Sequence, residues 1–296
     1  LRREQPVRVV GRSADRLQEM YGDAVEAVGA DLTTEEGRKR AVAGASSVVI
    51  AIGLPYNKKS FSTYPGLTAG IVKAAAAAGV QTLLQIATVY PYGRPQTTPV
   101  AESHPLRPSS VKGRYRLEQE QATLAGDDPN GMRTVVLRLP DFLAGDTDRS
   151  FPGRVADAAV ANKTAYVFGP TDKPHEYIYT GDVGPVVAEL LGRPDKLGRA
   201  YNVAGSGVIT QDALAALILT AAGNTVRVRK ISPGVLSLIG RIVPAVGEFA
   251  EMSYLLTEPV LLDESALVEA IGPVHHTPYE DAVKLVVDAS RKRTGK

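Results

Sequence analysis

The 296-residue sequence contains no cysteine, which excludes a disulfide framework, a thiol nucleophile and a thiolate metal site. Histidine is scarce: the four are His104, His175, His275 and His276, none in HExxH spacing, and the adjacent pair lies in the loop-like stretch "GPVHHTPYED". No metal site is expected from them. Long hydrophobic runs are missing as well. The longest, "VLSLIGRIVPAV", is interrupted by Arg241 and Pro244, far short of the roughly 20 apolar residues that span a bilayer. Charge of one sign is not in excess either: 34 basic against 32 acidic residues leave +2, and the basic end Arg291 to Arg293 reads as a solvated tail. Neither nucleic acid nor a membrane is expected as a partner. A glycine-rich phosphate loop of the GxxGxxG kind is also absent.

What is there is a strict alternation. "LRREQPVRVVGR" reads as a helix tail, a turn at Gln5-Pro6 and a strand from Val7 to Val10. "SADRLQEMYG" is a short helix with Ser13 as N-cap, and "AVEAVGADL" a second strand. "TTEEGRKRAVAG" is helical, with acids in its first turn. "SSVVIAIG" is a continuous apolar run, expected to be buried on both faces of a parallel sheet. A helix ending at Gly79, the strand "VQTLLQIAT", the helix "RYRLEQEQATLAG" and the strand "MRTVVLRLP" follow. Short, glycine-punctuated connections between such elements predict an α/β fold with a doubly wound, Rossmann-type parallel sheet. After Asp141 the pattern loosens into a smaller lobe. Residues 1–140 are thus expected to form the nucleotide-binding domain and 141–296 mainly a substrate lobe, with 175–205 returning to the sheet.

In a doubly wound sheet, ligands sit at the carboxyl ends of the strands. There "GADL", "VVIAIG", "IATVYPYG", "HPLRPSS", "HEYIYTGDVGPVVAELL" and "RAYNVAG" follow in an order and spacing that resemble the extended short-chain dehydrogenases/reductases, the NAD-dependent epimerase/dehydratase family, along nearly the whole chain. Two departures mark it as an atypical member. Family chains open with a strand and a glycine-rich loop that cradles the cofactor pyrophosphate, and this sequence picks up near the end of the following helix. The expectation is that strand and loop are lacking here, leaving exposed strand edges and weak cofactor binding.

The second departure lies in the active-site helix. The family's catalytic Tyr-x-x-x-Lys falls on Lys112 and Arg116 in "VKGRYR". These two share a helix face, whereas Tyr115 points about 60° away from Lys112. Arg116 could hold cofactor hydroxyls but cannot act as acid or base, while Lys112 could do both. Thr88 stands at the family's Ser/Thr position, four residues before Tyr92. The catalytic set implied by the resemblance is therefore Thr88, Lys112 and Arg116. The isoflavone-reductase-like branch also carries a lysine and an arginine at this spacing, and its members either reduce substrates with NADPH or only sense the cofactor.

For the cofactor, the resemblance points to Arg12 and Ser13 after the first strand, Asp31 and Leu32 at adenine, Ala51, Ile52 and Gly53 beside the nicotinamide, and Lys112. A basic residue at Arg12 favours NADP over NAD, although NAD also fits the family. Substrate contacts fall to Tyr90, Tyr92, His175, Tyr177 and Tyr254, with Glu251 nearby. The expected function is NAD(P)-dependent oxidation, reduction or epimerisation at a carbonyl or alcohol carbon of a small molecule. The alternative is a non-catalytic NADP(H)-binding redox sensor. A cytoplasmic location is expected, and pairing into a homodimer through the long helices is a family habit.

Overall fold

A computed structural model describes residues 6–144, 150–240 and 242–295. The helix tail read for Leu1 to Gln5 lies outside the described residues. Among the described residues eleven strands run in chain order: β1 (Arg8–Gly11), β2 (Glu26–Gly29), β3 (Ser47–Ile50), β4 (Thr82–Thr88), β5 (Arg133–Leu139), β6 (Asp141–Leu143), β7 (Ala165–Phe168), β8 (Pro174–Tyr179), β9 (Arg199–Asn202), β10 (Val208–Thr210) and β11 (Val228–Ile231).

The main sheet is parallel, in the order β3-β4-β5-β9. Its centre is β4 and β5, whose side chains are buried almost throughout because "TLLQIAT" and "RTVVLRL" offer apolar or paired polar groups to both faces. The helices Tyr64–Ala77 and Val111–Leu124 lie side by side and flank this sheet. Val186 and Leu190 of the helix Thr180–Leu191, together with Leu267 of Ser265–Ile271, pack with Leu84, Val135, Leu137, Leu139 and Tyr201 to form the sheet's main core. The architecture is a doubly wound α/β sheet, as the alternation predicts.

Strands β1 and β2 pair in parallel with each other, Arg8 beside Glu26, and not with β3. The expectation that "SSVVIAIG" is buried on both faces needs correction. Val49 is 43 % exposed, because among the described residues nothing covers that face of β3. The second lobe holds β6-β8-β10 and the parallel pair β7-β11. Its core forms where the helices Phe151–Val160, Gln211–Ala222 and Tyr279–Thr294 close around Tyr177 and Leu143. Strand β9 sits in the main sheet, whereas β8 belongs to the lobe. Two short helices, Pro233–Gly240 and Pro244–Ala250, fold against each other with Gly240 and Gly247 at the contact, where a Cβ on Gly240 would lie 2.8 Å from the Gly247 Cα.

Candidate active site

The helix that carries "VKGRYR" begins at a well-made cap. Ser110 Oγ accepts from the Gly113 N–H at 2.9 Å, and the Glu251 carboxylate accepts from the Val111 N–H at 2.6 Å. Two donors that the first helical turn would otherwise leave open are thereby satisfied. Gly113 lets this turn press against the preceding loop. A Cβ there would lie 3.0 Å from the Tyr90 carbonyl oxygen, from Pro108 Cβ and from Ser110 Oγ.

Lys112 is fully buried. Its ammonium donates to the Glu248 carbonyl oxygen at 3.0 Å, to the Glu248 carboxylate, and to Glu251 Oε2 at 2.9 Å. The Tyr56 ring lies beneath it, 5.1 Å from Nζ to centroid. An ammonium has three donors and here all three end on the second lobe. Burial alone would raise Glu251, but hydrogen bonds from Lys112 and the Val111 N–H overcome it and hold the carboxyl below its usual value. Phe249 stacks on Tyr56 at 5.0 Å, so the segment around residues 248–251 is seated directly on the start of this helix.

Arg116, one turn on, stacks over the Tyr64 ring at 3.9 Å. It donates to Gln119 Oε1 at 2.7 Å and to the Tyr64 hydroxyl at 3.2 Å. That hydroxyl also accepts from the Leu54 N–H and donates to the Ile52 carbonyl, linking Arg116 to the loop after β3. Among the described residues, Arg116 Nε is buried with no partner. Ala51 and Gly53 of the same loop are exposed, and no heavy atom lies within 4 Å of a Cβ built on Gly53. An orphaned guanidinium donor beside open backbone fits a hydroxyl-bearing ligand such as a ribose.

Thr88 ends β4 at the carboxyl edge of the sheet, and its hydroxyl accepts from the Tyr90 N–H at 3.4 Å. Tyr90 opens a 3₁₀ turn over residues 90–92. Its ring packs with Tyr56 against Met252, Tyr254 and Leu255. Burial, then the Asp141 carboxylate, push the Tyr90 phenol up to about 12, while Arg116 pulls it back. Tyr56 is raised further, chiefly by burial. Asp141, exposed where the chain leaves β5, is hydrogen-bonded to His175 Nε2 at 2.9 Å, and the His175 ring lies 4.7 Å from that of Tyr177. Tyr254 is buried beside Ser110, its phenol also pushed to about 12 by desolvation.

Other expected contacts fall elsewhere. Tyr92 is not a substrate contact: it is wholly buried, donating to Asn202 Oδ1 at 2.7 Å and accepting from Arg138 Nη1 at 2.9 Å. Its place is set by the buried Arg138–Glu120 pair, 2.8 Å apart. Tyr177 is likewise wholly buried, in the core of the second lobe, stacked on Phe151. On the expected cofactor side, Ser13 Oγ caps its helix by accepting from the Arg16 N–H at 3.3 Å, and Arg12 is exposed. Both line an open pocket with Gly11, Arg16, Leu17 and Met20. Asp31 Oδ1 is occupied by the Thr33 hydroxyl and N–H, at 2.7 and 2.9 Å, while Leu32 and Ile52 pack on the core around Val42 and Ile50.

Sequence reasoning missed Tyr56, Asp141 and Glu248. Asp141 has a local signal, a charge closing an apolar strand at the sheet's carboxyl edge. Glu248 and Glu251 also have one, acids three apart in "GEFAEM" and so on one helix face. Nothing local identifies Lys112 as their partner.

Comparison with known proteins then settles the family. The profile of the NAD dependent epimerase/dehydratase family matches residues 1–204. The chain belongs to this family. A UDP-glucose 4-epimerase of Rhizobium leguminosarum bv. trifolii is 36 % identical over 90 residues, 30 % of this chain and about a quarter (26 %) of that relative's length. Among solved structures, DesIV of Streptomyces venezuelae, a dTDP-glucose 4,6-dehydratase with NAD and TYD bound, superposes with a TM-score of 0.80 at 18 % identity, covering 98 % of this chain and 88 % of that one. RMD of Pseudomonas aeruginosa, complexed with NADPH, gives 0.76 at 15 %, covering 98 % and 100 %. At such identities the likeness to family structures establishes the fold. Among the described residues no helix is long and apolar enough to cross a membrane, and no three His, Asp or Glu gather as metal ligands.

Proposed function

We propose that this epimerase/dehydratase-family chain is an NADP(H)-using oxidoreductase or epimerase acting at a carbonyl or alcohol carbon. The observation that carries the reading is the convergence at the sheet's carboxyl edge. The Tyr90 N–H bonds the Thr88 hydroxyl there, the Arg116 charge acts on the Tyr90 phenol, and Arg116 is linked through the Tyr64 hydroxyl to the open backbone of the loop after β3. When bound, the nicotinamide supplies or accepts hydride. Arg116 would hold its ribose and Arg12 the 2′-phosphate, and Thr88 would hydrogen-bond the reacting oxygen. The family structures solved with NAD and with NADPH support the cofactor class.

A second reading, a non-catalytic NADP(H) sensor, is favoured by one observation: all three Lys112 donors are taken by Glu248 and Glu251, leaving none for a substrate. Fluorescence titration of the full protein with NADPH and NADH is the first test, followed by turnover assays with UDP-glucose and dTDP-glucose, the sugar nucleotides that the relatives' names bring forward. NADPH is expected to bind at least tenfold tighter than NADH, with Arg12→Ala abolishing the preference. Indifference to both cofactors overturns both readings.

A further inference from the structure

The site has a hydroxyl-bearing acid that does not lie on the active-site helix. From the placement of its ring we infer that Tyr90 is the proton donor to the reacting oxygen, with the Tyr56 hydroxyl behind it as the hydrogen-bond donor to the phenolate that results. This deepens the oxidoreductase reading above and rests on it.

The inference begins by elimination among groups on the page. Lys112 has no donor left and Arg116 does not release a proton. Tyr115 is not on the face shared by those two residues. Tyr92 is sealed between Asn202 and Arg138. His175 is engaged by Asp141, the Tyr254 hydroxyl is turned to Ser110, and the Tyr64 hydroxyl is held by Leu54, Ile52 and Arg116; Tyr90 lies two residues beyond Thr88 on a turn fixed from both sides. Its N–H meets the Thr88 hydroxyl, and its carbonyl is pinned under Gly113, where any larger residue would collide. The backbone that carries Thr88 and Tyr90 therefore holds a constant relation, a precondition for an oxygen bound by one and protonated by the other.

The surroundings suit donation. The phenol, near 12, is fully protonated at neutral pH. It is still far more acidic than the alcohol formed when an alkoxide, left as hydride reaches a carbonyl carbon, takes up a proton. In the reducing direction the C=O π bond breaks, the carbon gains hydride, and the oxygen takes the Tyr90 proton to become an alcohol. The phenolate left behind faces Arg116, whose charge stabilises it, and the Tyr56 hydroxyl, which donates a hydrogen bond to it; solvent water returns the proton when the product leaves. Asp141 faces both phenols and opposes their ionisation. With a phenol near 12, the resting site holds its proton ready to donate.

The test uses full-length protein labelled with [ζ-13C]tyrosine, the Tyr90 resonance being assigned by its loss in Tyr90→Phe. In the cofactor-free protein, Asp141→Asn is expected to lower the Tyr90 titration by about one pH unit, and saturating NADP+ to lower it further. Turnover of NADPH with 9,10-phenanthrenequinone as carbonyl probe is expected to fall at least 100-fold in Tyr90→Phe, within the 10²–10⁴ range for a general acid. NADPH affinity and melting temperature should stay unchanged. Tyr56→Phe should lose less, about tenfold. A Tyr90 resonance indifferent to both Asp141→Asn and bound NADP+ overturns the inference, as does wild-type turnover in Tyr90→Phe. Both outcomes leave the oxidoreductase reading standing. Failure to bind NADP(H) at all is seen separately in the fluorescence titration and removes that reading and the inference together.

Discussion

Replacing Lys112 should cost more than its one charge suggests. Among the described residues its ammonium is the sole hydrogen-bond partner of Glu251 Oε2, it also binds the Glu248 carbonyl and carboxylate, and it lies over the Tyr56 ring. In Lys112→Met the stem volume is kept, but two carboxylates that are only 19 % and 14 % exposed face each other without a cation. Breaking a buried ion pair from one side typically costs about 3–5 kcal/mol, whereas replacing the whole group by neutral residues is often close to neutral. The single variant should therefore lose about 3–5 kcal/mol, or roughly 6–10 °C of melting temperature at about 2 °C per kcal/mol for a chain of this size. The triple variant Lys112→Met/Glu248→Gln/Glu251→Gln should recover most of that loss, because the amide introduced by Glu251→Gln keeps an oxygen for the Val111 N–H. Thermal unfolding followed by circular dichroism measures both. A Lys112→Met protein as stable as wild type would refute the reasoning, and so would a triple variant no better than the single. The triple variant is also the background in which to judge whether turnover needs the lysine itself, since its fold is no longer in question.

Three further outcomes follow from named contacts. Gly113→Ala should gain about 1 kcal/mol of helix propensity yet destabilise the protein by about 1–2 kcal/mol net, because the added methyl meets three atoms at 3.0 Å; chemical denaturation reads the sign. Arg138→Met should cost about 3–5 kcal/mol by stranding the buried Glu120 carboxylate, and adding Glu120→Leu should restore most of it in the same assay. The Glu251 contribution is pH-dependent. Because the folded carboxyl sits below its ordinary value, its stabilisation is fully present above about pH 4.5 and is lost as pH falls through the folded value. The melting-temperature gap between wild type and Glu251→Gln should accordingly close in acid, and a gap unchanged down to about pH 3.5 would contradict the assignment.

Much of the fold was legible because its determinants are local. The apolar runs of β4 and β5 could only be central strands, and Ser13 and Thr210 stand where caps must be and accept the hydrogen bonds expected of them. The pairing of Lys112 with Arg116 on one face follows from helix geometry alone. Exposure of Val49 was not legible, since an apolar run shows what could be buried and not whether a neighbour covers it. Nor could "VYPYG" show which of its two tyrosines turns inward. That choice is made by the 3₁₀ turn, which sends Tyr92 to Arg138 and leaves Tyr90 half-buried in the cluster that also holds Tyr56.

The partner of Lys112 was the least legible feature, and its physics explains the unusual helix. The acids that hold it lie 136 and 139 residues away in sequence, on a segment of the other lobe. A lysine wholly removed from water at this position needs counter-charges, and "GEFAEM" needs a cation where Glu248 and Glu251 are brought against the helix start. Each makes the other tolerable, so the two stretches behave as one unit. Replacing Lys112 alone by tyrosine would set a neutral phenol between two largely buried carboxylates. The phenol would stay protonated, Glu251 would lose the hydrogen bond that keeps it ionised, and the lobe would lose its anchor. Lys112 therefore cannot be exchanged for a neutral residue without also changing Glu248 and Glu251. If chemistry is retained at this site, its proton has to come from a residue outside that unit, and the turn after β4 is where the fold provides one.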